Sequence, residues 1–285
     1  MIVKPSRRAF LGGALASAAL VPFGAASAAP IDKIKANGVL RVAVYRDFEP
    51  WSWKRDGKIV GIDVEIAEAL AKKIGVRAEP IDFLADEGVA DDLRNMVWRG
   101  SLVGGTVCDV MMHVPVDRAF ALANDRAVIG APYYREGFQM ACGIDTDCEV
   151  APAAFKGMRL VAELDSIPDY YLSGSFGGVL RPDVKHLTSG QAAIDAVKTG
   201  DADVAMASRA QIEHALHDGS RTVKVRKGPL PALPSPGWDV GVAVKDDSRD
   251  LADMLDSTIA GFRTDGTLDA IFARYGVSPR TPLSI

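Results

Sequence analysis

Residues 57–76, GKIVGIDVEIAEALAKKIGV, decide the class of fold. A short turn over Lys54 to Lys58 leads into this stretch. Val64, Ile66, Ala67, Leu70, Ala71 and Ile74 then repeat at helical spacing until Gly75 stops the pattern. A helix with one apolar stripe must lay that stripe on something. The flanking segments supply it: Val39 to Val44 is an apolar, β-branched run between Asn37-Gly38 and Asp47 to Pro50, and Ala78 to Leu84 is a second. Leu93 to Trp98 reads as a further helix and Cys108 to Met112 as a further strand. Strand, helix, strand, helix, strand is the order of an α/β sheet.

A comparable order returns downstream. Leu160 to Ala162 is a strand and Pro168 to Leu172 starts a helix. Gln191 to Lys198 is a helix closed by Gly200, Val204 to Met206 is a strand, and Ala210 to Leu216 is a helix. Breaker-rich stretches lie at 131–137 (APYYREG) and 231–237 (PALPSPG). After the second, Val240 to Val244 is a strand, and Leu251 to Tyr275 holds two helices around Asp265-Gly266. Two crossings predict a discontinuous first lobe, 29–133 plus 238–285, with a second lobe, 134–237, inserted in it.

The N-terminus carries an address. Ser6 to Leu11, SRRAFL, is a twin-arginine pattern followed by an Ala- and Gly-rich apolar run and an Ala26-Ser27-Ala28 cleavage site. Residues 1–28 therefore read as a signal peptide for a bacterial periplasmic protein, the run being too short for a membrane anchor. Removing Lys4, Arg7 and Arg8, with no acids, takes the formal charge from −4 to −7. That balance, with no basic cluster left, argues against a nucleic-acid partner. Cys142 and Cys148 in CGIDTDC could close a short loop in an oxidising compartment, whereas Cys108 reads as a small core residue. The cysteine and histidine spacing matches no metal site, and no cofactor is expected.

The segments LRVAVYRDFEPWSW, GKIVGIDVEIAEALAKKIGV, CDVMMHVPVDR, APYY and DGTLDAIFARYGV, in that order, resemble the family 3 periplasmic solute-binding proteins, the polar amino-acid receptors of ABC importers. The resemblance implies an α/β, two-lobed periplasmic binding protein fold, with a hinge and a ligand cleft between the lobes. It implies a monomeric, non-enzymatic receptor that hands a small polar, carboxylate-bearing molecule to an ABC permease. Arg118 matches the arginine that grips the ligand's carboxylate in that family, a role suited to its charged fork; a surface pairing with Asp117 or Asp125 is the alternative. Phe48 and Trp51, with Trp53 as a further candidate, fall where the family places cradling rings, or else pack the turn. Ser166 falls near hydroxyls of the second lobe, or caps a helix.

Two positions depart from the family. His113 and Pro115 stand where it has hydroxyls, so that His113 either adds a hydrogen bond or charge beside Arg118 or is a satisfied strand-end residue. Ser208 stands where it has the aspartate that pairs with an ammonium, which leaves such a group without a counter-charge unless Glu163 or Asp165 supplies one. The long connection RNMVWRGSLVGGTVCDV and the PYYREG stretch also resemble a branch associated with periplasmic quinoprotein (PQQ) alcohol dehydrogenases. That likeness implies an accessory role beside a dehydrogenase, although LRVAV lacks a cysteine expected in the branch. A periplasmic dehydratase on the same scaffold would need a general acid, for which His113 or Glu163 is available.

Overall fold

The computed structural model describes residues 30–100, 105–217, 219, 223–233 and 235–284. The twin-arginine signal read over 1–28 and part of the long connection before Cys108 lie outside the described residues.

From the N-terminal side the elements are α1 (Pro30–Asn37), β1 (Val39–Tyr45), the hairpin β2 (Trp53–Arg55) and β3 (Lys58–Val60), α2 (Ile62–Ile74) and β4 (Arg77–Phe83). Then come α3 (Val89–Leu93), which widens into a π-helical turn over Arg94–Trp98, β5 (Val110–Pro115), α4 (Arg118–Ala123), β6 (Ala127–Glu136) and β7 (Phe138–Gly143). The middle of the chain supplies β8 (Leu160–Glu163), α5 (Ile167–Gly174), β9 (Val184–Leu187), α6 (Gly190–Lys198), β10 (Val204–Ser208), α7 (Arg209–Ala215) and β11 (Val223–Val225). The last elements are β12 (Trp238–Lys245), α8 (Arg249–Thr264) and α9 (Thr267–Arg274).

These strands form two five-stranded sheets, β4-β1-β5-β12-β6 and β11-β7-β10-β8-β9. The first is parallel through β4, β1 and β5 and antiparallel where β12 inserts between β5 and β6. The second is parallel through β10, β8 and β9, with β7 and β11 antiparallel at its other side. The stripe of α2 does what its period requires. Val64, Ile66, Ala67, Leu70, Ala71 and Ile74 are buried in one cluster with Leu40, Val42 and Val44 of β1 and with Leu255, Ile259 and Phe272 from the C-terminal helices. The second sheet has its own core around Met140, Leu160, Tyr171, Leu172, Val204 and Met206.

Three strands contain a proline; Pro115 ends β5, and the other two lie inside their strands. Pro80 lies in β4 and Pro132 in β6, and both are edge strands, where a missing N–H need not cost a ladder bond. The stretch 131–137, read as a breaker-rich crossing, is therefore strand as far as Glu136, and the chain leaves the first sheet at Gly137. It returns at Gly237. A Cβ at Gly237 would overlap the Glu136 carbonyl and one at Gly137 would press on the Pro236 carbonyl at 3.0 Å, so the two crossings touch at these glycines.

Among the described residues no helix is long and apolar enough to cross a membrane, and no cluster of His, Cys, Asp and Glu could hold a metal ion. Cys142 and Cys148 are joined in a disulfide. Cys108 is buried and free, and burial, with Asp109 nearby, pushes its thiol up to about 12, away from nucleophilic use.

Helix α7 follows a strand of the second sheet, yet it is tied to residues packed on the first. Arg209 donates to the Tyr134 hydroxyl at 2.6 Å and to the Arg135 carbonyl at 3.0 Å. His214 sits with Nδ1 2.6 Å from the Tyr275 carbonyl and Nε2 3.1 Å from Glu49 Oε1. Burial disfavours the charged imidazole, but Glu49 and the Tyr275 carbonyl outweigh it and raise its pKa. A raised histidine stabilises the fold fully below the unfolded value, about pH 6.5, and ceases to do so as pH rises through the folded value. Chemical denaturation of His214→Gln should lack that pH-dependent loss; the same loss in the variant would show that this contact contributes nothing.

Candidate functional site

The turn after β1 sets the floor of the site. Phe48 N–H donates to the Ser52 carbonyl at 2.8 Å, and Ile62 and Asp63 N–H donate to the Pro50 and Trp51 carbonyls at 3.0 Å each. Gly61 has φ +137°, and a Cβ there would overlap the Trp51 carbonyl, so only glycine lets the turn lie on the start of α2. Asp63 is thereby held at 0% exposure. Its Oδ1 accepts the Tyr133 hydroxyl at 2.6 Å, and the Tyr133 oxygen accepts the His113 backbone N–H at 3.1 Å. Asp63 Oδ2 faces His113 Nδ1 at 3.3 Å, out of line for a hydrogen bond, and neither atom has another hydrogen-bond partner.

His113 is where β5 is deformed. Its φ is +61°, and between the pairs Met111–Ala243 and Val114–Gly241 the bulged strand sets two residues against one of β12. A bulge re-aims the side chain it carries. Here it turns the imidazole against Phe48, the two rings nearly perpendicular (4.8 Å between centroids), and against Trp51 at a tilt (4.5 Å), on the wall of a cavity between the two sheets.

That cavity holds about 320 Å³. The first-sheet side contributes Phe48, His113, Glu136 and Trp238. The other side contributes Phe138 from β7, the Glu163–Pro168 segment, Gly190, and Met206 to Ser208 with Gln211. A second cavity of about 360 Å³, lined by Asp47, Glu49, Trp53, Thr188 and Ser189, adjoins it at Gln211. Phe138 and Trp238, each directly after a crossing glycine, pack against one another at 4.8 Å. A third cavity, about 420 Å³, shares Glu136 and Phe138 with the first and is lined by Arg135, Arg209, Arg226, Lys227 and Arg280. Three of these cations are already engaged: Arg135 with Asp239, Arg209 with Glu213, and Arg226 with the carbonyls of Cys148 and Val150. The cleft, with its rings and helix starts, is the better candidate.

Phe48, His113, Ser166 and Ser208 all line this one cavity. Both serines are also N-caps: Ser166 Oγ accepts from Asp169 N–H and Ser208 Oγ from Gln211 N–H, the latter as half of a capping box. Trp53 lines the adjoining cavity. Trp51 is a correction. Expected to cradle a ligand, it is fully buried, because the Phe48–Ser52 turn folds it inward onto Tyr134 and Phe272. Arg118 begins α4 and is exposed, outside the cavity lining, with no ion pair to another described residue; Asp117 caps the helix instead. Asp165 and Glu163 both line the cavity.

Glu136, Phe138 and Trp238 were not among the residues picked out from sequence. The signal that could have found the rings is the matched pair Gly137-Phe138 and Gly237-Trp238. Glu136 is 2% exposed. Its Oε1 accepts the Gly137 N–H at 2.8 Å and, more weakly, the Ala210 N–H at 3.4 Å, whereas Oε2 has no hydrogen-bond partner among the described residues. Burial raises its pKa and outweighs the opposing pull of Gly137, Arg209, His113 and Ala210. Glu163 is likewise raised by burial against the Gly190 N–H.

Against known proteins, residues 40–95 match the model of bacterial extracellular solute-binding proteins, family 3. The L-cystine-binding protein TcyJ of Escherichia coli strain K12 is 23% identical over 250 residues, 86% of this chain and 85% of that protein. Among solved structures, an ancestral cationic amino acid solute-binding protein superposes with TM-score 0.66 at 19% identity, covering 86% of this chain and 99% of its own. An amino acid ABC transporter substrate-binding protein from Streptococcus pneumoniae, bound to L-arginine, superposes with TM-score 0.61 at 18% identity, covering 87% and 98%. The chain has the two-lobed α/β fold of periplasmic binding proteins.

A carboxyl whose pKa is raised on folding binds more protons in the native than in the unfolded state. Stability then falls as pH rises from the unfolded value, about 4.3, through the folded one, at about 1.4 kcal/mol per unit of difference. Glu136→Gln should remove that fall. Urea denaturation across the acid to neutral range compares the two proteins, and identical pH profiles would contradict an isolated, buried Glu136.

Proposed function

We propose that this chain is a non-enzymatic periplasmic receptor that closes a cleft on a small, polar, amino-acid-like molecule and delivers it to an ABC permease. The observation that carries this is the cleft itself: two sheets joined through touching crossings at Gly137 and Gly237, with Phe48, Phe138 and Trp238 at the cavity between them. Two lobes joined so narrowly can rotate about the crossing and bury a ligand between them. In this reading the first lobe extends through β6 to Glu136, three residues beyond the boundary expected at 133, and resumes at Trp238, with the second lobe lying between. The solute class draws support from the names of the similar proteins, which bind L-cystine and L-arginine. In this reading Arg118, exposed and uncommitted, takes the ligand's carboxylate as the lobes close, and export follows the twin-arginine route.

A dehydratase on the same scaffold is favoured by one feature. His113, backed by Asp63, lines the same cavity as Glu163, so a proton donor and acceptor could face one substrate.

One experiment separates these. The protein, refolded to strip any retained solute, is screened by thermal shift against amino acids, dicarboxylates, aromatic acids and PQQ, with mass spectrometry of the recovered compounds. A ligand at about 100 times its Kd adds roughly 2.7 kcal/mol, a shift of a few degrees. A receptor shows such a shift, loses it in Arg118→Ala and returns the compound unchanged. Turnover would establish the enzyme. A shift with PQQ alone would direct attention to a quinoprotein dehydrogenase partner, and no shift with any compound would contradict the receptor.

A further inference from the structure

An α-amino acid brings an ammonium group as well as a carboxylate, and a buried ammonium needs a carboxylate beside it. The position that supplies one in the resembled family is Ser208, a capping serine with no charge. The cavity nevertheless is acidic: Glu136, Glu163 and Asp165 line it, and His113 is the one basic residue among its described lining residues.

These three carboxylates are not equivalent. Glu163 Oε2 already accepts the Gly190 N–H at 2.9 Å. Asp165 is exposed on the loop before α5, where water can solvate it. Glu136 is sealed in the protein with one oxygen unpartnered, a costly state for a group that has no solvent to fall back on. The nearby guanidinium does not relieve it, since Arg209 spends its donors on Tyr134, the Arg135 carbonyl and Glu213. Directly next to Glu136, Phe138 and Trp238 offer ring faces of the kind that stabilise a desolvated cation.

We infer that Glu136, on the crossing strand, is the counter-charge for the ammonium of the bound solute, in place of the second-lobe residue that this chain lacks. The inference rests on the amino-acid-like receptor proposed above. It makes the amine a requirement: a solute without one leaves Glu136 buried and unpaired in the closed cleft. It also ties recognition to the hinge. Glu136 Oε1 holds the N–H of Gly137 at the crossing and that of Ala210 in α7, so the carboxylate that receives the ligand belongs to the segment about which the lobes turn.

The test uses matched pairs of probes: L-arginine with des-amino-arginine, L-cysteine with mercaptopropionate, and L-phenylalanine with hydrocinnamate. Each is titrated calorimetrically into the full chain and into Glu136→Gln, which keeps the shape and an oxygen for the Gly137 N–H. The expected result is that the wild type prefers the amine-bearing member of any pair it binds. Glu136→Gln should weaken that member about 10- to 100-fold and narrow the preference to within a few-fold. Should Glu136→Gln not fold, Glu136→Asp keeps the charge but withdraws it, and the same selective weakening is expected. Unchanged affinity for the amine in the variant would overturn the inference and leave the receptor standing, as would equal losses for both members of a pair. Wild-type binding of only the des-amino members would do the same. Binding of no member of any pair would sink the amino-acid-like receptor together with the inference.

Discussion

Asp63 is the group on which the rest of this site depends. A carboxylate at zero exposure is tolerable only where donors replace its water, and here Tyr133 supplies a short hydrogen bond while the His113 imidazole faces the other oxygen. Each partner comes from a different element. Asp63 opens α2, His113 sits on the bulge of β5, and Tyr133 belongs to β6. One buried charge therefore fixes the start of a helix against two strands that are not neighbours in their sheet. Removing either partner would leave a buried charge facing an empty position, a larger penalty than the contact's own net worth.

The consequences run outward to the cleft. With Asp63 in place, the bulge at His113 can direct its ring to the cavity wall, where the Phe48 ring stands nearly perpendicular to it. Gly61 beneath the Trp51 carbonyl completes the same corner, so the segment GIDV is as much a joint between turn, helix and sheet as the beginning of a helix. On the far side of the cavity, helices α5 and α7 start at serines whose hydroxyls are held by their own caps. The chemistry of the cavity is thus made of parts with prior structural duties. Glu136 is held by the Gly137 and Ala210 N–H groups at one oxygen only, and no described residue hydrogen-bonds the other.

Much of the fold was legible because it rests on local periodicity. The α2 stripe repeats at helical spacing, while β1 and the strand around Val204 are near-continuous apolar runs, and each is buried as its pattern requires. Strand β6 was read as a break, since Pro132 is a breaker anywhere but at a sheet edge, and which strand is an edge is decided by β12, about a hundred residues later. Trp51 reads as a cradle because it falls where the resembled family places rings; the hydrogen bonds of its turn send it inward, so that it packs the turn instead. Among the candidate site residues, Ser166, Ser208 and His113 stand out because they fall at or near positions that the resembled family uses, and the structure places all three on one cavity. Glu136 has no such guide. It is one acid in PYYREG until the chain returns at Gly237 and α7 lies over it.

The most direct test of this account is a crystal structure with the tightest-binding amine-bearing solute in place. It should show the solute between Phe48, Phe138 and Trp238, with its nitrogen within hydrogen-bond distance of Glu136 and its carboxylate turned toward Arg118. A solute in the arginine-lined cavity behind the crossing, or one whose nitrogen meets Glu163 or Asp165 while Glu136 stays unpaired, would contradict it.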